Sequence, residues 1–194
     1  INSPENFCIT DNTTGNIDLF TYLTTDSSGG TGTWTDTNAT GALTLPSTVN
    51  VTTLQGLGDG SYTFNYSVDN GDGCTNDINM VIIIDPENEA GTPSNTLICE
   101  TNLVNNFDLF TLLTGNDTGG TWTDDEATGA LTGNIVDLTA IPQPYDPTGY
   151  DFTYTASNAS CPDDTETVTI IITEMPDLVI NSPENFCITD NTTG

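Results

Sequence analysis

Four stretches of the chain alternate apolar and polar residues with a period of two. They are Tyr62, Phe64, Tyr66 and Val68; Tyr150, Phe152 and Tyr154; Ile78, Met80, Ile82 and Ile84; and Val168, Ile170 and Ile172. Successive strand side chains point to opposite faces, so this period predicts strands with one face buried. Thr-Trp-Thr at 33–35 and at 121–123 predicts two more, with Trp34 and Trp122 inward and the threonines outward. Triple-isoleucine runs at 82–84 and 170–172 predict closing strands buried on both faces near their ends. After Gly-Ala-Leu-Thr, the apolar positions Leu43, Leu45 and Val51, or Leu131, Ile135 and Val136, predict further strands. An aspartate precedes each of two apolar clusters, Asp18-Leu19-Phe20 with Leu23 and Asp108-Leu109-Phe110 with Leu113. Aspartate can cap a helical turn, so one turn of helix or 3₁₀ helix is expected at each, and no more. Few stretches carry a 3.6-residue period, and the chain reads as all-β.

The predicted elements occur twice. Cys8, Gly29-Gly30, Trp34, Gly60, Cys74 and Met80 begin or mark segments matched by those at Cys99, Gly119-Gly120, Trp122, Gly149, Cys161 and Val168. Two related modules of about 90 residues follow, each the size of one β-sandwich. Beyond this, INSPENFCITDNTTG at 1–15 returns letter for letter at 180–194, an offset of 180 − 1 = 179 residues. The chain is therefore expected to be a window on a tandem array: module one over 1–88, module two over 89–179, and the first strand of the next copy over 180–194. The stretches joining modules, from Asp85 and from Thr173, carry prolines, which stiffen a chain. A semi-rigid rod is expected, each module advancing it by roughly 35–45 Å at strand rise. Asp59-Gly60-Ser61-Tyr62 resembles the tyrosine corner of immunoglobulin-like sandwiches, in which the phenol bonds back to nearby backbone. Tyr150, with Gly149 directly before it, is the counterpart. Trp34, Tyr62, Trp122 and Tyr150 are the expected core aromatics.

Charge removes whole classes of function. The chain has no Lys, Arg or His against 28 Asp plus Glu, for a formal charge of −28. Nothing can clamp phosphate, so nucleic acid is excluded as a partner. Attraction to an anionic membrane is excluded in the same way, and no apolar run is long enough to insert directly. Without imidazole or amine, triads and Schiff bases are ruled out. Side-chain salt bridges cannot form, so stability must come from burial, backbone pairing, disulfides or bound cations. Carboxylate pairs for glycosidic cleavage are open to composition alone, but no acid stands in an evident cleft, and the expectation is a non-enzyme.

Cys8 and Cys74 fall at the two ends of module one, and Cys99 and Cys161 occupy the same places in module two; Cys187 is the copy of Cys8. Four cysteines allow three pairings, and the repeat favours Cys8–Cys74 with Cys99–Cys161. Buried free thiols are the other reading. Paired cysteines imply an oxidising, extracytoplasmic setting.

Asp69-Asn70-Gly71-Asp72-Gly73, with Asn76 and Asp77, is the densest oxygen-ligand loop. Such spacing suits a hard cation, and Asp69, Asn70, Asp72 and Asp77 are the candidate calcium ligands. A solvated acidic turn is the plainer reading. Asp85, Glu87 and Glu89 could likewise hold calcium between modules.

Taken together, Cys, Asp-Leu-Phe-Thr-x-Leu-Thr, Gly-Gly-Thr-Trp-Thr-Asp, Ala-Thr-Gly-Ala-Leu-Thr, Gly-x-Tyr-x-Phe-x-Tyr, a second Cys and a closing isoleucine-rich strand resemble the tandem surface repeats of giant secreted Bacteroidota adhesins, including those associated with gliding motility. The resemblance implies immunoglobulin-like sandwiches, export through a type 9 system and a C-terminal anchoring domain beyond this stretch. The expected function is an extracellular structural or adhesive stalk or filament on a bacterial surface. Its partners would be neighbouring repeats, with a homopolymer or bundle as an extension. Two alternatives remain: each repeat binds a polysaccharide or ice-like surface through outward threonine rows, or edge strands exchange between chains to build a fibre.

Overall fold

The computed structural model describes residues 5–11, 15–23, 32–69 and 71–178. The Gly29-Gly30 turn, Asn70, Cys187 and the whole 180–194 copy lie outside these residues.

The strands, in chain order, are β1 (Glu5–Cys8), β2 (Asn16–Asp18), β3 (Gly32–Asp36), β4 (Leu43–Thr44), β5 (Thr48–Asn50), β6 (Gly60–Asp69) and β7 (Thr75–Asp85). They continue as β8 (Thr92–Pro93), β9 (Thr96–Cys99), β10 (Phe107–Asp108), β11 (Leu113–Thr114), β12 (Thr121–Asp124), β13 (Leu131–Thr132), β14 (Ile135–Val136), β15 (Tyr150–Ala156) and β16 (Asp164–Thr173). Among the described residues, one helix, α1 (Val51–Leu57), and several 3₁₀ turns complete the elements.

Two immunoglobulin-like sandwiches result. In the first, a four-stranded sheet ordered β1-β7-β6-β3 faces a three-stranded sheet ordered β2-β5-β4. In the second, β9-β16-β15-β12 faces β10-β14-β13, with the small β8-β11 pair beside them. The alternating residues form the long hairpins: β6 and β7 pair from Gly60–Ile84 to Asp69–Thr75, and β15 and β16 from Tyr150–Ile170 to Ala156–Asp164. The first strand of each sandwich runs parallel to its last: Glu5–Cys8 lies beside Ile82–Asp85, and Thr96–Cys99 beside Ile170–Thr173. This parallel pairing decides where the cysteines fall.

Each sandwich has its own core. Leu19, Trp34, Val49, Leu54, Phe64, Met80, Ile82 and Ile84 gather in the first; Leu109, Val136, Leu138, Phe152, Tyr154, Val168 and Ile170 gather in the second. Trp34 is 2 % exposed and Tyr150 7 % exposed; Tyr62 and Trp122 are half-buried against their cores. Each tryptophan lies against a tyrosine of the next strand, Trp34 on Tyr66 and Trp122 on Tyr154, both with ring centroids 5.1 Å apart. Tyr62 donates its phenol proton to the Gly58 carbonyl at 2.8 Å, whereas Tyr150 accepts from the Asp146 backbone N–H at 3.1 Å. Both corners therefore bind backbone four residues upstream, with opposite donor sense. The two aspartate-capped turns are single 3₁₀ turns, Leu19–Tyr22 and Leu109–Leu112, with Asp18 and Asp108 accepting from Phe20 and Phe110 N–H at 3.0 Å.

Three expectations are corrected. Val51 opens α1 instead of continuing a strand, with Asn50 accepting from Thr53 N–H at 3.0 Å as its cap. Leu45 is 65 % exposed in the turn between β4 and β5. The closing strands bury one face near their ends and the other only partly: Ile82 and Ile84 are buried and Ile83 is half-buried, while Ile78, on the face of Ile82 but nearer the β6–β7 turn, is 41 % exposed.

Candidate functional site at the joint between the sandwiches

The expected within-module disulfides do not form. Cys8 bonds Cys161 across the joint, with S–S 2.01 Å and Cα–Cα 4.8 Å. Cys74 and Cys99 carry free thiols, the first exposed and the second half-buried. The reason is strand direction. Because β1 runs parallel to β7, Cys8 sits opposite Asp85, at the end of β7. Cys74 directly precedes Thr75, at the start of the same strand. Eleven residues of strand separate the two positions, about 35 Å at strand rise. A disulfide tolerates a Cα separation of only about 7 Å. The same holds in the second sandwich, where Cys99 lies opposite Thr173 while Cys161 precedes the start of β16 at Asp164.

Cys161 belongs to the loop joining β15 to β16, and that loop faces the end of the first sandwich. The Cys161 N–H donates to Asn158 Oδ1 at 2.7 Å, which fixes the loop. The connecting segment packs on it: Asn88 Nδ2 donates to the Pro162 carbonyl at 2.7 Å, and Asn158 Nδ2 donates to the Pro86 carbonyl at 3.2 Å. Ala90 N–H donates to Asp164 Oδ2 at 2.8 Å, and Glu89 N–H to Asp117 Oδ2 at 3.0 Å. Asn88 is 8 % exposed and Ala90 is fully buried, so the connector is part of the second sandwich and not a free tether.

On the other side, α1 holds the strand that carries Cys8. Gln55 is buried, and its Nε2 donates to the carbonyls of Cys8 and Asp11, each at 2.7 Å. Asp85 bridges the two halves: its Oδ2 accepts from Asn6 Nδ2 at 2.9 Å and from the Ser160 hydroxyl. Among these residues the cysteines and the connector acids Asp85 and Glu89 carry a sequence signal. Gln55 and Asn88 are single polar residues whose partners lie 44 or more positions away.

In the loop between β6 and β7, Asp69 Oδ1 accepts from the Gly71 N–H at 2.8 Å, and Asp77 Oδ2 accepts from Asn65 Nδ2 at 3.1 Å. The hairpin register places Asp77 diagonally across from Asp69 on one face, since Asp69 pairs with Thr75. Asp72 lies in the turn between them, and Asn70 is outside the described residues. Among the described residues, no three acidic or thiol side chains converge as a metal site. No helix among them is long and apolar enough to cross a membrane.

The outer face of the second four-stranded sheet carries rows of threonine. Thr121 lies opposite Thr155, which lies opposite Thr165; Thr123, Thr153 and Thr167 form the next row. The first sandwich has Thr33, Ser67 and Asp77, then Thr35, Asn65 and Asn79, at the equivalent places.

No protein-family model matches the sequence, and no curated protein does. Among solved structures, the chain is similar to the tandem immunoglobulin domains 1–5 of Sidekick-1, with a TM-score of 0.38 and 13% identity over 74% of this chain. The chain spans about a third of that structure, 32% of its length.

Proposed function

We propose that this chain is a segment of a non-enzymatic, extracellular tandem-repeat stalk on a bacterial cell surface, and that its product is length. Modules 1–88 and 89–179 repeat in series, with 180–194 opening the next copy. The observation that carries this reading is the joint. A disulfide and a buried connector fix one sandwich on the next, and a fixed joint repeated every module makes a rod. A disulfide between modules also favours an oxidising compartment. The first strand of each sandwich pairs inside its own sheet, which favours covalent series over strand exchange between chains. Small-angle scattering tests the reading. A chain of two 179-residue units should exceed one unit in maximum dimension by roughly 70–90 Å, twice the module advance at strand rise. A dimension that barely grows, as for modules folded back on each other, overturns it.

A second reading, surface binding by the repeats, rests on the threonine rows of the second sandwich. Hydroxyls recur there at about 4.8 Å across strands and roughly 6.8 Å along them. On this reading the chain co-sediments with an insoluble polysaccharide or shows thermal hysteresis against ice, and Thr123→Asp with Thr167→Asp abolishes the effect. A chain that stays in the supernatant and shows no hysteresis leaves only the stalk.

A further inference from the structure

The disulfide between the sandwiches follows a rule that the remaining thiols can also obey. Cys8 is the first cysteine of its module and bonds the second cysteine of the module that follows. Cys99 is the first cysteine of module two and holds the same place as Cys8. It ends the first strand, opposite the last residue of the closing strand, Thr173 where Cys8 faces Asp85. It also keeps the same neighbour: Thr101 Oγ1 lies 3.3 Å from Cys99 Sγ, and Thr10 Oγ1 lies 3.4 Å from Cys8 Sγ. Cys74 is the counterpart of Cys161, since each precedes the closing strand of its module. The two free thiols therefore lie at the two outer ends of the pair, away from the joint. The spacing to the next copy agrees. From Asp85 to Cys99 is 99 − 85 = 14 residues, and from Thr173 to Cys187 is 187 − 173 = 14 residues.

We propose that every joint of the array is stapled in this way, with Cys99 bonded to the copy of Cys74 in the following unit and Cys74 to the copy of Cys99 in the preceding one. The inference rests on the tandem-array reading and adds to it a covalent cross-link at each joint. Two thiols become one disulfide by losing two protons and two electrons. A disulfide oxidant, small molecule or protein, takes them: one thiolate attacks it, breaks its S–S bond and expels one carrier thiolate to leave a mixed disulfide, and the second thiolate breaks that bond and expels the other carrier thiolate. The Thr101 hydroxyl and backbone N–H hydrogen-bonded to Cys99 draw its thiol below the ordinary range, which favours the attacking thiolate.

The staples add a second load path to the one that the Cys8–Cys161 bonds already provide. The covalent path from Cys74 runs up β7, along the connector and β9 to Cys99, then crosses to the next copy of Cys74. Those 99 − 74 = 25 steps have a contour of about 85 Å at full extension. Two modules already span roughly 70–90 Å at strand rise. The path is nearly taut in the folded rod, so unfolding a sandwich releases almost no length.

Disulfide mapping of two consecutive 179-residue units, oxidised with glutathione disulfide and digested without reduction, tests this. With no Lys or Arg for trypsin, an aspartate-specific protease is needed; Asp11, Asp77, Asp85, Asp108 and Asp163 separate the cysteines. A peptide pair joining Cys99 to the next copy of Cys74 is expected beside the Cys8–Cys161 pair, and Cys99→Ser should remove only the former. Cys99 and the next Cys74 both alkylated, or bonded inside their own modules, overturns the inference. A scattering dimension that still grows with unit number would show that the array reading survives that failure. Pulled by its ends with Cys8→Ser in both units, which removes the Cys8–Cys161 bonds, the oxidised chain should lengthen by full steps of roughly 250 Å only for its two outer modules. Full steps from all four modules also overturn the staple.

Discussion

Gly120 stands two positions before Trp122, and its N–H donates to Tyr154 Oη at 2.9 Å. A Cβ there would lie 2.2 Å from the Thr155 carbonyl oxygen and 2.6 Å from the Tyr154 ring. Gly32 stands in the same relation to Trp34 and Tyr66: a Cβ there would lie 2.3 Å from the Tyr66 ring, and its N–H donates to Tyr66 Oη at 3.1 Å. The glycine lets the tyrosine lie flat against the strand and reach the tryptophan. Gly120→Ala should therefore lower unfolding stability by about 1–3 kcal/mol, the range of an overpacked core. A urea midpoint that does not move would show that the ring has room to shift. The Gly-Gly-Thr-Trp-Thr signature was plain in the sequence, but not that its second glycine serves a tyrosine 34 positions on.

At the scale of elements, the recurring Asp-Leu-Phe-Thr motif was readable because the cap and its target are adjacent in sequence. Asp108 serves twice, accepting from Phe110 N–H at 3.0 Å and from Asn134 Nδ2 at 2.8 Å. Asp108→Ala removes the cap and leaves the Asn134 amide without this acceptor. Thermal unfolding should register a loss of about 1–2 kcal/mol, and an unchanged melting temperature would mean that water replaces both bonds. Helix α1 was not readable in the same way. Val51, Thr52 and Thr53 are β-branched and favour strands. The helix is seven residues long and is held by Asn50 and by Leu54 and Gln55 packing beneath it. Tertiary contacts outweigh propensity there, since so short a helix is marginal alone.

For the whole molecule, the unopposed charge of −28 sets the response to ions. Raising NaCl from 0.01 to 1 M shortens the screening length from about 30 Å to about 3 Å. Self-repulsion of the folded chain should weaken, and the melting temperature should rise by several degrees; a flat response would show that the repulsion is already relieved. Calcium at the Asp69–Asp77 loop remains a proposal and is separated from screening by comparison at equal ionic strength. Binding predicts an added rise with CaCl2 that EDTA reverses, and identical curves in the two salts would remove calcium while leaving the rod untouched.

By itself the sequence determined the long alternating strands, the capped turns, the duplication and the acidity, because each is written in neighbouring residues or in a repeat that can be aligned by eye. Which cysteine meets which was decided only by the tertiary structure. The repeat placed two cysteines in every module but carried no sign of strand direction. Once the first strand lies parallel to the last, the two sulfurs of one module stand at opposite ends of a long strand, and only a neighbouring module can bring a partner within bonding distance.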